Sequence, residues 1–103
     1  MLDTTLLTDA VDVFADRLRA ASESRLQRGA AAEARELARE LAVRAQDIEK
    51  PDAVPRVMPD VGLFSVSDQV TVAGRDLALV LTDEGQLADA VRLVHEAQKR
   101  AGV

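Results

Sequence analysis

The feature that most constrains the fold is an alternation of apolar and polar residues on either side of a Gly-Arg pair in the second half of the chain. A two-residue loop at Gly74 and Arg75 would pair Val72 with Leu77 across two antiparallel strands. The same face of this pair would carry Val66, Val70, Leu79 and Leu81. The pattern predicts a β-hairpin over residues 70–81 with one apolar face.

A helix is predicted directly after this hairpin, from Thr82 to Ala101. Asp83 and Gln86 fit a capping box at its start, and Gly102 would end it. Its inward stripe would consist of Leu87, Ala90, Val91, Val94, Ala97, Gln98 and Ala101. Two strands do not form a stable sheet by themselves. The hairpin must therefore pack against helices or pair with a second copy of itself.

The first half of the chain contains two helical stripes. The stripe between Leu6 and Leu26 consists of Leu7, Val11, Phe14, Leu18 and Ala21. The stripe between Ala30 and Glu49 consists of Ala34, Leu37, Ala38, Leu41, Ala45 and Ile48. In one straight helix the two stripes would lie on nearly opposite sides. Gly29 lies between them and can end a helix, so a helical hairpin is favoured, and one continuous rod is the alternative.

Three prolines, Pro51, Pro55 and Pro59, then exclude an ordinary helix interior. The chain is therefore predicted to be a single α+β domain with the element order α-α-β-β-α. Its parts would be a helical region at residues 1–49, a proline-rich connection at 50–61, and the hairpin with the C-terminal helix at 62–103.

Small side chains dominate the apolar residues, which include 18 alanines and only two aromatics, Phe14 and Phe64. Small side chains bury little area each, at about 25 cal/mol per Å², so the core of one copy would be thin. We therefore expect a homodimer or another homo-oligomer, with a self-sufficient monomer as the alternative. The interface would then use four residues of the first stripe: Leu7, Val11, Phe14 and Leu18. The alternative is that these four residues belong to the ordinary intramolecular core.

The net charge of −5, from 13 basic and 18 acidic residues, disfavours nucleic acid as a partner. The chain has no cysteine, and hence no disulfide or thiol nucleophile. Neither a signal-peptide pattern nor an apolar run long enough for a membrane span is present. Alanine and arginine are abundant, as in proteins of high-GC bacteria. We therefore expect a bacterial, cytoplasmic protein without a membrane partner.

No catalytic or metal-binding pattern stands out. His95 is the only histidine, and it lies off the apolar stripe of its helix. One histidine without cysteine cannot supply the usual transition-metal ligands. Asp9, Asp12 and Asp16 fit the solvent face of the first helix. The serines are not in a nucleophile turn, and no glycine-rich phosphate loop is present. We therefore predict no enzyme, metal or cofactor.

Two short motifs resemble parts of winged-helix regulators of the kind found among bacterial repressors. The segment LARELAV at residues 37–43, followed by Ile48, resembles a helix-turn-helix, although Ala42 replaces the turn glycine. Gly74-Arg75, followed by LTDEG at residues 81–85, resembles a wing and its exit. The resemblance implies a helix in the major groove, a hairpin on the DNA backbone and a dimerising helix. The residues that it would place on DNA are Arg44, Lys50, Arg56 and Arg75.

The sequence as a whole favours a small non-catalytic interaction or regulatory protein. It would act through a helical interface with a second copy or with a partner protein. A winged-helix transcriptional regulator is the alternative.

Overall fold

The structure is a computed structural model that describes residues 1–52, 54 and 66–103. The described part of the chain contains helices and no strand. The helices are α1 (Thr5–Ala20), the short α2 (Glu23–Arg25), α3 (Ala31–Glu49), α4 (Val66–Val80) and α5 (Glu84–Ala101). A π-helical turn at Leu26–Ala30 joins α2 to α3. Of the proline-rich connection predicted at 50–61, residues 53 and 55–61 lie outside the described residues.

The predicted α+β fold is wrong, because the segment assigned to the β-hairpin lies in α4. The buried residues of α4 recur at helical spacing and include Val66, Val70, Ala73 and Leu77. Val72 and Leu79, which completed the alternating pattern, are 54% and 84% exposed. A short apolar run of this kind fits both the helical period of 3.6 residues and the strand period of two. Gly74 forms no turn and instead lies in the middle of α4 against Val11 of α1.

Helices α1 and α4 run antiparallel and are linked by ion pairs along their length. Arg75 Nη2 lies 3.4 Å from Asp12 Oδ1, and Arg19 Nη2 lies 3.7 Å from Asp68 Oδ1. The end of α1 is therefore next to the start of α4. Helices α1 and α3 each pack against both α4 and α5, and the most extensive contact is between α3 and α4.

Helix α5 runs parallel to α1 and antiparallel to α3. Leu6, near the start of α1, lies beside the first turns of α5. At the other end, Arg17 Nη1 donates to the backbone carbonyl of Val103 at 3.4 Å. Arg100 Nε, near the end of α5, lies 2.8 Å from Glu33 Oε2 near the start of α3. Helices α1 and α5 therefore present one side of the bundle together, with their chain directions aligned.

The first two stripes lie on separate helices, but α1 and α3 have little direct contact and pack instead against α4 and α5, so the predicted helical hairpin is not formed. Helix α1 ends before Ala21, which is extended, and the Ser22 hydroxyl accepts a hydrogen bond from the backbone N–H of Arg25 at 3.1 Å. Gly29 lies inside the connecting π-helical turn, with φ of 153°. A side chain is strained at this φ, so Gly29 provides the bend that separates α3 from α2.

Replacing Gly29 with alanine is expected to destabilise the fold by about 1–2 kcal/mol. No atom lies within 4 Å of the position that the added Cβ would occupy, so the cost comes from the backbone conformation. Urea unfolding followed by circular dichroism measures the effect. Gly85→Ala is the matched control, because Gly85 lies in α5 without a positive φ. Equal free energies of unfolding for the two variants would contradict this role of Gly29.

The C-terminal helix was largely predicted from its ends. Asp83 is the N-cap residue, and its Oδ1 accepts from the backbone N–H of Gln86 at 2.8 Å. Gln86 Oε1 accepts in turn from the backbone N–H of Thr82 at 2.8 Å. Because Asp83 is the N-cap, α5 begins at Glu84, two residues later than predicted. Gly102 ends the helix with a left-handed φ of 73°. The N-cap at Asp83 and the stop at Gly102 are confirmed, whereas the capping box is incomplete because Gln86 accepts from Thr82 and not from the backbone N–H of Asp83.

One contiguous core is formed by buried residues from α1, α3, α4 and α5. Phe14 is its only aromatic side chain among the described residues, and alanines make up much of the rest. Small side chains allow neighbouring helices to approach closely. The radius of gyration of 13.1 Å matches the value of about 13 Å that is typical of a 100-residue domain. A single copy therefore covers the buried stripes of its own helices.

Candidate protein–protein interface

The residues predicted to anchor an interface are buried within one copy. Leu7, Val11 and Phe14 are fully buried, and Leu18 is 2% exposed. All four belong to the core cluster shared with α3, α4 and α5. Intramolecular core, the alternative interpretation, accounts for them, because none has surface left for a second copy. A candidate interface must use other residues of the first helix.

The helix-turn-helix and the wing are not formed. Helix α3 continues through Ala42 and Val43 to Glu49, so the turn that the resemblance requires is replaced by regular helix. Gly74 and Arg75, proposed as the tip of the wing, lie inside α4. The winged-helix interpretation is therefore wrong in its architecture.

The four residues predicted to contact DNA do not form a cationic surface in the described part of the chain. Arg44 Nε lies 3.2 Å from Glu40 Oε1 on its own helix. Arg75 Nη2 is 3.4 Å from Asp12 Oδ1. Lys50 follows α3 and is exposed, whereas Arg56 lies outside the described residues. Two of the cations are thus paired with carboxylates, which weakens any attraction to phosphate.

An open apolar groove of about 400 Å³ lies between α1 and α5. We call it the α1–α5 groove. Its apolar lining consists of Leu6, Leu87, Ala88 and Val91, and its charged and polar rim consists of Glu84, Arg92, His95 and Glu96. Leu6 is 68% exposed, whereas Leu87 at the floor is 3% exposed. The groove therefore combines a protruding aliphatic side chain, an apolar floor and a charged border.

Helical spacing and parallel packing together create this groove. Leu6 and Val13 are two turns apart on α1, beside its buried stripe, and Val13 is 47% exposed. On α5, Ala88, Val91 and His95 follow one another at spacings of three and four. Because α1 and α5 run in the same direction, these stripes lie side by side. Val13 borders a second depression with His95, which continues the surface toward the end of α5.

The charges along this face of α5 are divided between its ends. Glu84 is at the first position of α5, and Lys99 is in its last turn. Neither has an ion-pair partner among the described residues. Arg92 is different, because its guanidinium lies 3.2 Å from Asp89 Oδ1 and 3.8 Å from Glu96 Oε1. This face of α5 is therefore acidic in its first turn and basic in its last turn, and near its middle Arg92 is paired with two carboxylates.

Sequence reasoning missed Leu6 and Val13 because the prediction followed the main apolar stripe of α1. The signal that could have found them is their spacing of two helical turns outside that stripe. Val72 and Leu79 have the same spacing on the outer face of α4. Two charged residues, Arg75 and Asp76, separate those side chains on the helix surface, whereas on the surface of α1 Asp9 is the one charged residue between Leu6 and Val13, so the pair on α4 forms the less continuous apolar strip.

Two of the three aspartates on the outer face of α1 form ion pairs at the surface. Asp16 pairs with Arg19 at 2.9 Å, and Asp12 pairs with Arg75. The residues described by the structure contain no group of three histidine or acidic side chains arranged to hold a metal ion. Ser67 is the only buried polar residue among them. His95 is exposed on the rim of the α1–α5 groove.

Within the described ranges, no helix combines the length and apolar content needed to cross a bilayer. Comparisons with protein-family models, curated proteins and solved structures found no match to this chain.

Proposed function

We propose that this protein is a small non-catalytic interaction or regulatory module that binds a second copy or a partner protein through the α1–α5 groove. The observation that carries the proposal is the exposure of Leu6 beside Val91 and above the buried Leu87. An apolar centre with a charged border is the usual anatomy of a protein–protein interface. The cytoplasmic location stays a prediction from the sequence.

The shape of the groove favours a helical binding partner. Two parallel helices leave a furrow between them, into which side chains of a third helix can pack. Leu6 would be an anchor, since full burial of a leucine side chain contributes about 1.5–3 kcal/mol. Its exposed part alone would supply more than half of that amount. The charged rim would set the orientation and register of the partner rather than the strength of binding.

The distribution of charged groups supports binding rather than catalysis. Arg92 and Glu96 at the rim are more than half exposed and contact each other. Groups that act in acid–base chemistry are instead brought together at a protected point, where their surroundings adjust their pKa values. The groove offers no such buried cluster among the described residues.

Replacing Leu6 with aspartate is expected to abolish partner binding without unfolding the protein. The exposed side chain tolerates the change, but a buried carboxylate in the complex would lose its hydration. Affinity capture from extracts of the source organism, with quantitative mass spectrometry, measures the effect on captured proteins and on the chain itself.

Leu79→Asp is the matched control, since Leu79 is equally apolar and lies exposed on α4. The wild type and Leu79→Asp should capture equal amounts of the proteins that bind through the groove. Leu6→Asp should capture at least tenfold less of them. Identical capture profiles for all three proteins would contradict the proposal.

A further inference from the structure

We infer that the occupant of the α1–α5 groove is a second copy of this chain, with the two α5 helices packed antiparallel about a two-fold axis near Val91. This inference rests on the proposed function and names the partner of the same surface. It is based on the order of residues along the exposed side of α5, which makes that side complementary to itself.

The exposed side of α5 reads Glu84, Ala88, Val91, His95 and Lys99 in order. A two-fold axis near Val91 places Glu84 of one copy opposite Lys99 of the second copy, and the reverse pair forms by symmetry. The two ends of this side are about 22 Å apart along the helix, so the pairs would lie on either side of an apolar centre. A parallel arrangement would instead bring Glu84 close to Glu84 and Lys99 close to Lys99.

The middle of the surface suits the axis of such a dimer. Leu6 of α1 lies beside Ala88 and Val91 of α5, so an aliphatic patch surrounds the proposed axis. Arg92 is the cation nearest the axis, and it is already paired with Asp89 and Glu96 of its own helix. The cluster of Arg92, Asp89 and Glu96 carries a net charge of −1 on each copy, so the two clusters would repel each other only weakly at this solvent-exposed surface. Antiparallel helices also align their dipoles favourably.

Charge reversal tests both the partner and the direction of packing. Glu84→Lys and Lys99→Glu are each expected to weaken the dimer about tenfold, because two exposed ion pairs per dimer become repulsive contacts. The double variant Glu84→Lys/Lys99→Glu should restore the wild-type dissociation constant, because the pairs re-form with reversed signs. Sedimentation equilibrium at low ionic strength measures the constants, and the single-variant effect should shrink at high salt.

Two further variants separate failure of the inference from failure of the proposed function. Leu6→Asp should give a folded monomer, and Leu79→Asp should dimerise like the wild type; circular dichroism checks the fold of each variant. A wild-type monomer at several hundred micromolar overturns the inference, and the capture experiment then decides the proposed function alone. If Leu6→Asp abolishes the dimer but the charge reversals do not change its dissociation constant, the antiparallel packing is wrong and the proposed function is still supported. A dimer indifferent to Leu6→Asp overturns the inference by showing that another surface is used.

Discussion

Replacing Phe14 with aspartate is expected to leave the protein unfolded at room temperature. Phe14 is fully buried and is the largest buried side chain among the described residues. Loss of a buried phenylalanine costs about 3–5 kcal/mol, and an unpaired buried carboxylate adds a desolvation penalty of several more. The sum is comparable with the total stability of a domain, about 5–15 kcal/mol. Far-UV circular dichroism and size-exclusion chromatography would show loss of helix and an expanded chain.

The matched control is Val13→Asp, because Val13 is the neighbouring residue on α1 but is 47% exposed. This variant should keep its helical spectrum, since its carboxylate can remain in water. A folded monomeric Phe14→Asp variant would contradict the burial of Phe14. It would instead support the interface that the sequence predicts at this position.

Replacing Gly74 with alanine is expected to destabilise the protein by about 1–3 kcal/mol, the usual cost of an overpacked core. A Cβ at this position would lie 2.5 Å from Val11 Cγ2 and 2.9 Å from Val11 Cγ1. Either the buried Val11 side chain would have to move or α1 and α4 would have to separate at this crossing. The change would normally favour a helix, since alanine has the higher helix propensity. Urea unfolding gives the free energy, and a decrease would identify the contact between helices as the cause.

The double variant Gly74→Ala/Val11→Ala provides the control for this mechanism. Val11→Ala alone should destabilise the fold by leaving a cavity in the core. In the double variant, the methyl group added at position 74 would occupy part of the space left by Val11→Ala. The double variant should thus be more stable than the sum of the single effects predicts. Strict additivity would contradict a close approach of α1 and α4 at Gly74.

The sequence allowed good prediction of elements whose signals are local. The ends of α5 follow from Asp83, Gln86 and Gly102, whose side-chain or backbone chemistry acts within a few residues. The apolar stripes of α1 and α3 have a clear helical period, so their buried faces were also predictable. Whether the α1 stripe belongs to the core or to an interface could not be predicted, because periodicity identifies an apolar face without identifying what covers it.

The candidate interface, in contrast to the helix ends, depends on residues that are distant in the sequence. Leu6 and Val91 are far apart in the sequence, and neither marks a site by itself. They become neighbours because α1 and α5 pack side by side in the same direction. The division of charge between Glu84 and Lys99 is readable from the sequence, but it bears on binding only once their side of α5 is known to be exposed.

For this protein, the sequence by itself determined that helices form in the regions of α1, α3 and α5 and which side of each is apolar, because helical period and capping depend on nearby residues. The end of α1 at Ala20, before the predicted Leu26, was not determined in this way. Only the tertiary structure decided that residues 66–80 form a helix, since their apolar pattern fits a strand as well. At Gly74, the absence of a side chain allows α1 and α4 to pack closely. The tertiary structure also decided which apolar residues stay exposed, because exposure depends on which helices become neighbours.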